Sequence, residues 1–198
     1  MASEKLKSIF LSASIPFKER HQKYFGTADI IAIRDAVVAL ATVALPYHRL
    51  VWGGHPSITP MIYYVMERMG LNIQEHLTLY QSLFFEKDFP QDNNRFENIV
   101  FTENKGNLNE SLFHMRGRMM KENKFSAGVF IGGMDGVEIE FKLFSKTYPQ
   151  ALVLPIASTG AASKIVFDEY LTGNQKNNRL VTDYGYMSLF QDLLMAKI

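Results

Sequence analysis

Cysteine is absent from this chain. Its absence removes disulfides, thiolate nucleophiles and cysteine-ligated metals from consideration. A charge excess is missing as well. Lys and Arg number 21 against 20 Asp and Glu, a formal charge of +1, whereas nucleic-acid modules carry a clear basic surplus. No nucleic-acid partner is expected. Long apolar runs are lacking too: polar residues interrupt each one well before the roughly 20 residues that span a bilayer, so no membrane association is expected. No cationic stretch followed by an apolar core opens the sequence, and no secretory signal is read there. The five histidines show neither HxH nor HExxH spacing, so no metal site is expected, and no cofactor is implied. These absences leave a soluble, cytoplasmic protein as the expected class.

What the chain does contain is apolar and aromatic. Hydrophobic residues make up 47% and aromatics 13% of 198 residues, enough for one ordinary domain with a large core. We read residues 1–198 as that single domain, with no repeat and no linker. Strand and helix signals alternate along it. "SIFLSAS" (8–14), "RLVWGG" (49–54), "HLTLYQSLFF" (76–85), "ENIVFTE" (97–103), "AGVFIGG" (127–133) and "ALVLPIA" (151–157) are apolar runs of strand length. Between them lie helical patterns. Ile30, Ile33, Val37, Leu40 and Ala44 fall at helical spacing and end at Pro46. "PSITPMIYYVMERMG" begins with prolines and ends at Gly70, as helices do. Leu108, Leu112, Met115 and Met119 form a third stripe, and residues 181–196 also read as helical. The polar stretch 86–97, with Pro90, reads as a surface loop. Repeated strand–helix units predict an α/β fold of three layers: a mostly parallel sheet with helices on both faces.

Such sheets bind ligands beyond the C-terminal ends of their strands. Small and polar residues collect at those ends here: "SAS" at 12–14, "GGHPSIT" at 53–59, "GGMDG" at 132–136 and "ASTGAAS" at 157–163. Glycine permits close backbone approach, and a helix starting there presents free N–H groups to an anion such as phosphate. The candidate ligand-binding set is therefore Ser12, Ser14, Gly53, Gly54, His55, Ser57, Thr59, Gly132, Gly133, Met134, Asp135, Gly136, Ser158, Thr159 and Gly160. The bland reading is that such turns merely join strands to helices. Neither Gly pair opens a Walker A loop or a GxGxxG fingerprint, so a P-loop nucleotidase and a standard dinucleotide dehydrogenase are both disfavoured. Trp52 could stack on a base, although a buried strand aromatic is the simpler role. Asp29 and Arg34 are read as contributors to the pocket mouth. His48 and His76, which flank strands, are read as structural.

Residues 137–147 are ambiguous. "VEIEFKLF" alternates apolar and charged after an Asp-Gly pair, the pattern of a hairpin. Val137, Phe141 and Phe144 equally form one helical stripe, and a parallel neighbour strand needs a crossover helix. The residues alone leave both readings open.

A resemblance bears on that choice. "FHMRGRMMKENKFSAGVFIGGMDGVEIEF" (113–141) resembles the signature region of the SLOG superfamily, whose best-known enzymes are the lonely-guy phosphoribohydrolases. In that family an Arg-bearing helix precedes a strand ending in a PGGxGTxxE loop and helix. Arg116 lies sixteen residues before Gly132, in a similar register, and "VWGGHPSITPMI" is similar to the earlier Gly-rich loop. The departures are Ile131 in place of Pro, Asp135 as an extra residue, and Val137 in place of Thr. The resemblance implies a Rossmann-like nucleotide-binding fold and a helix over 137–147. It implies catalytic roles for Arg116 and Glu140, with Glu138 as the fallback acid. Its implied ligand is a nucleotide or a nucleotide-derived molecule of the ADP-ribose or NAD kind, whose N-glycosidic bond would be cleaved. A non-catalytic sensor of such a molecule is the alternative. "IFLSAS" also resembles the first strand of TIR-like NAD-consuming domains, which the Gly pairs fit poorly. Tyr184, Tyr186 and Phe190 mark the last helix as core or as the seam of a homodimer or larger homo-oligomer.

Overall fold

The computed structural model describes residues 6–19, 22–70 and 74–198. Six strands pair: β1 (Ser8–Ser14), β2 (Arg49–Trp52), β3 (Leu77–Ser82), β4 (Ile99–Thr102), β5 (Phe125–Gly132) and β6 (Leu152–Ile156). Their order is β4-β3-β2-β1-β5-β6, and every neighbouring pair is parallel. The near-continuous apolar character of β1 follows from its central position, since a strand covered on both faces has no side for polar residues. The chain runs outward from β1 to β4, then returns to β5 beside β1. The order therefore reverses between β1 and β5, and ligands of open parallel sheets bind at such a switch.

Eight α-helical segments accompany the described strands: α1 (Gln22–Phe25), α2 (Ile30–Ala44), α3 (Thr59–Met69), α4 (Leu108–Glu122), α5 (Asp135–Thr147), α6 (Ala161–Ile165), α7 (Arg179–Thr182) and α8 (Tyr186–Phe190). Helix α2 packs on α3 and α8, whereas α4 packs on α5, giving the two outer layers. Local chemistry sets the ends. Asp29 caps α2 by accepting from Ala32 N at 2.9 Å, and Asn107 caps α4 by accepting from Glu110 N at 2.9 Å. Gly70 closes α3 in the left-handed conformation, φ 60°. No helix among the described residues is long and apolar enough to cross a membrane.

The ambiguous stretch is helical. Asp135 and Glu138 lie in the first turn of α5, where acidic groups complement the helix dipole. Val137, Phe141 and Phe144 form its buried stripe. Phe144 stacks on Phe10 of β1, with ring centroids 5.5 Å apart and planes 10° from parallel. Phe125, Phe130 and Tyr148 surround the pair. This aromatic cluster holds α5 on the sheet, and the parallel β5–β6 pairing leaves no place for an antiparallel partner.

Two elements differ from expectation. The third strand stops at Ser82 rather than continuing to residue 85. Ser82 accepts a hydrogen bond from Phe84 N through Oγ, and the chain turns into a 3-10 segment, Leu83–Asp88. The expected terminal helix is broken into α7, α8 and a π-helical turn, Gln191–Met195. Arg179 spans these pieces by binding Asp183 and Asp192 at 2.6 and 2.9 Å. Tyr186 and Phe190 are buried in the core, whereas Tyr184 is exposed.

The aromatic cluster generates a stability prediction. A Cβ at Gly128 would lie 2.8 Å from the Phe144 ring. Gly128→Ala should therefore destabilise the protein by about 1–3 kcal/mol through overpacking, read from the midpoint of urea unfolding at unchanged slope.

Candidate functional site

Beyond the C-terminal ends of β1, β2 and β5 lies a cavity of about 580 Å³. Four chain segments with sequence-expected residues meet around it. The end of β1 supplies Ser12 and Ser14, the β2–α3 loop supplies Gly53, Gly54 and His55, and the start of α5 supplies Met134, Asp135 and Gly136. Helix α4 contributes Arg116, and α5 contributes Glu140 one turn further on.

Glu140 is the polar centre of this cavity. Its Oε1 accepts from Arg116 Nε at 2.9 Å, and its Oε2 accepts from Ser12 Oγ at 2.5 Å. The Arg116 and Glu140 side chains are only 12% and 14% exposed. Three elements thus converge on one carboxylate: a central strand and two adjacent helices. Charge-assisted bonds of this kind are the stronger class of hydrogen bond, and here they fix the carboxylate's orientation. Arg116 can reach Glu140 because Gly136 leaves space beside it; a Cβ there would lie 3.1 Å from Arg116 Nη2.

Glu138, the fallback acid, projects elsewhere. It is absent from the cavity lining. It accepts from Tyr24 Oη at 2.6 Å and pairs with Lys23 at 3.6 Å. Burial, reinforced by the neighbouring Glu138 carboxylate, raises the pKa of the Tyr24 phenol, so that phenol remains a donor. Two residues apart on a helix means nearly opposite directions, and the two glutamates serve different surroundings.

Several expected ligand residues have structural roles instead. Gly132 N donates to the hydroxyls of Thr159 and Ser163 at 2.9 and 3.2 Å, and Gly133 N donates to Ser14 O at 2.8 Å. Both glycines adopt positive φ, 56° and 84°, and their amides are consumed in turning the chain from β5 into α5. A Cβ on Gly133 would fall 2.2 Å from Val137 Cγ2, so substitution there disrupts the turn itself. The 157–160 loop is turned away from the cavity lining. Thr159 is fully buried, Ser158 bonds Tyr186 Oη at 3.1 Å, and a Cβ on Gly160 would meet the carbonyl of Thr27. Thr59, also fully buried, accepts from Trp52 Nε1 at 3.2 Å, which places Trp52 in the core as well as on the cavity wall. Ser57 accepts from Ile15 N at 3.3 Å. Asp29 and Arg34 are occupied by the α2 cap and by Asp35. Of the strand-end stretches, the cavity is lined by the end of β1 and by the 53–55 and 134–136 segments.

The outer wall was not anticipated. The stretch expected as a polar surface loop instead sends Asp88, Phe89 and Pro90 to the cavity, next to Phe85 of the 3-10 segment. Phe89 is held from behind by Phe101, with centroids 5.9 Å apart. The signal available in the sequence was aromatic density, "LFFEKDFP", within an otherwise polar stretch. The deeper residue Gln81 donates to Gly54 O at 3.2 Å, and a Cβ on Gly54 would lie 2.3 Å from its Nε2. Gly54 is thus required for β3 to support the β2 loop.

The Thr159 hydroxyl lies outside the cavity lining and acts by holding the turn before α5. Thr159→Val should cost about 1 kcal/mol, the net worth of one hydrogen bond, read from urea unfolding, since the Gly132 amide keeps the longer bond to Ser163.

Comparison with known proteins agrees with this architecture. A solved structure, the X-ray structure of TM1055, a structural genomics consortium target, aligns over 94% of this chain and 99% of its own, with a TM-score of 0.58. Sequence identity is 14%, so the likeness is one of fold. No curated protein matches the chain. The family model described as the SLOG cluster3 family matches residues 23–194, and a SLOG assignment supports a nucleotide-related function. The chain belongs to the SLOG cluster3 family.

Proposed function

We propose that the switch-point cavity binds a nucleotide-derived ligand of the nucleoside monophosphate, ADP-ribose or NAD kind and hydrolyses its N-glycosidic bond. The observation that carries this reading is the Glu140 carboxylate, oriented by Ser12 and Arg116 within the cavity. In such a reaction the bond between the ribose anomeric carbon and the base nitrogen breaks, and the base leaves with the electron pair. Positive charge develops on the sugar. A carboxylate fixed beside that carbon stabilises the charge or orients the attacking water, as in other glycoside chemistry. Arg116 holds the carboxylate in position and adds donors for ligand oxygens. The start of α5, at Met134, Asp135 and Gly136, directs the positive end of a helix dipole towards the cavity. The Gly53–Gly54–His55 turn faces it and offers close backbone approach.

Binding without turnover is the second reading, and Val137 favours it. Val137 is 4% exposed and offers methyl groups, where the signature loop of related enzymes carries a threonine hydroxyl. Fold and binding frequently persist after such changes while chemistry is lost.

One set of assays separates these readings. Wild-type protein is incubated with nucleoside monophosphates, NAD and ADP-ribose, and released base or nicotinamide is followed by chromatography. In an enzyme, Glu140→Gln should lower turnover by on the order of a hundredfold or more, the size of a lost electrostatic term in a preorganised site. Affinity should change little, since the charge acts mainly in the transition state. Glu138→Gln should retain turnover within a few-fold, because its carboxylate serves Tyr24. Loss of turnover in Glu138→Gln alone would reject the assignment of Glu140. Calorimetric binding with no release from wild type would select the sensor.

A further inference from the structure

We propose that the β3 side of the cavity is a base subsite selective for adenine, in which the Gln81 amide reads the exocyclic amine and the Phe85 and Phe89 rings hold the base plane. The polar part of the argument is an incompletely paired amide. Gln81 stands at the end of β3, lines the cavity and is 3% exposed. Its Nε2 donates to Gly54 O at 3.2 Å. A carbonyl oxygen only accepts, so the amide cannot turn over without setting two acceptors against each other. That orientation fixes Oε1 as the outstanding acceptor. Oε1 has no hydrogen-bond partner among the described residues, yet it is not sealed from solvent. The opening it has is the cavity that Gln81 lines. Leaving a deeply placed acceptor without a donor is costly, so the site is complementary to a ligand that brings an N–H to this point. The amide nitrogen also keeps a second proton to donate. Adenine carries an amine beside a ring acceptor, a pair that a glutamine amide matches.

The chain passes from Gln81 directly into the aromatic wall. Phe85 and Phe89 both line the cavity. Phe89 is stacked on Phe101, with ring planes 29° from parallel, and Phe85 meets Phe84 edge to face, with centroids 5.1 Å apart. Each ring is thus held by a second one and offers apolar surface to a flat base. Position along the sheet agrees with this chemistry. Strand β3 lies two places from β1, so Gln81 and Ser12 project from backbones ~10 Å apart at the usual strand spacing. A base held at Gln81 extends back towards β1. Its glycosidic bond then falls at Glu140, which Ser12 holds at the other end of the cavity. The subsite rests on the nucleotide reading above and gives the ligand a direction within it.

Calorimetry on the full chain compares adenosine monophosphate with purine riboside monophosphate, which lacks only the exocyclic amine. Wild type should bind the first about tenfold more tightly, the scale of one buried hydrogen bond. Gln81→Leu fills a similar volume without the amide and should make the two affinities equal. Loss of support for the Gly54 loop would weaken both nucleotides alike, so the ratio of affinities reports the contact itself. Phe89→Ala should weaken both by about tenfold, the scale of one base–aromatic stack, and leave their ratio unchanged. Equal affinities in wild type would overturn the base subsite, whether or not any variant folds. A preference that survives in Gln81→Leu with an unchanged circular dichroism spectrum would overturn it as well. Binding of both nucleotides without preference leaves the nucleotide reading standing. Binding of neither by wild type would overturn that reading and this subsite with it.

Discussion

The turn between β5 and α5 is the constraint on which the site depends. Gly133 N reaches back to Ser14 O at 2.8 Å, tying the ends of the two central strands together. Gly132 N is held by the Thr159 and Ser163 hydroxyls, which ties the same point to the segment after β6. With both glycines at positive φ, the chain reverses within two residues and α5 starts over the switch in strand order. Glu140 then falls between Ser12 and Arg116. A looser turn would start α5 at another angle, and the carboxylate would lose one or both partners. The price of this definition is that the Gly132 and Gly133 amides, which the sequence pattern suggests as phosphate donors, are already used.

The two faces of α5 illustrate how one helix serves separate purposes. Val137, Phe141 and Phe144 bind it to the sheet through the aromatic cluster around Phe10. Glu138 is spent on Tyr24 and Lys23. Glu140 is spent on Ser12 and Arg116, at the cavity. The cavity itself is divided in character. Its floor carries the strand-end hydroxyl, the ion pair and the β2 loop, while its outer wall carries Phe85, Phe89 and Pro90. That division matches the general form of small-molecule sites, which combine much apolar surface with a few oriented polar groups.

Much of the architecture was legible in the sequence, because it follows from local signals. Apolar runs of strand length, helical stripes, the Asp29 and Gly70 boundaries and the alternation of strands with helices together predict a parallel sheet covered on both faces, as observed. The strand-end rule pointed to Ser12, Gly53, Gly54 and residues 134–136, which do line the cavity. It also pointed to Thr59, Ser158, Thr159 and Gly160, which do not. A hydroxyl or glycine after a strand looks the same in sequence whether it faces a ligand or caps a neighbouring amide.

What the sequence by itself determined was the periodicity of each segment and, through it, the fold. The residues alone could not tell which of Glu138 and Glu140 faces the cavity, because only their partners distinguish them: Tyr24 lies 114 positions from Glu138, and Ser12 lies 128 from Glu140. Nor could it find the wall formed by residues 85–90, whose aromatic side chains lie within a polar stretch without period. Tertiary structure decided those matters. Hydrogen-bond satisfaction is a pairwise property of groups far apart in the chain, and whether a polar group serves a ligand or a neighbour depends on which of them packing brings within about 3 Å.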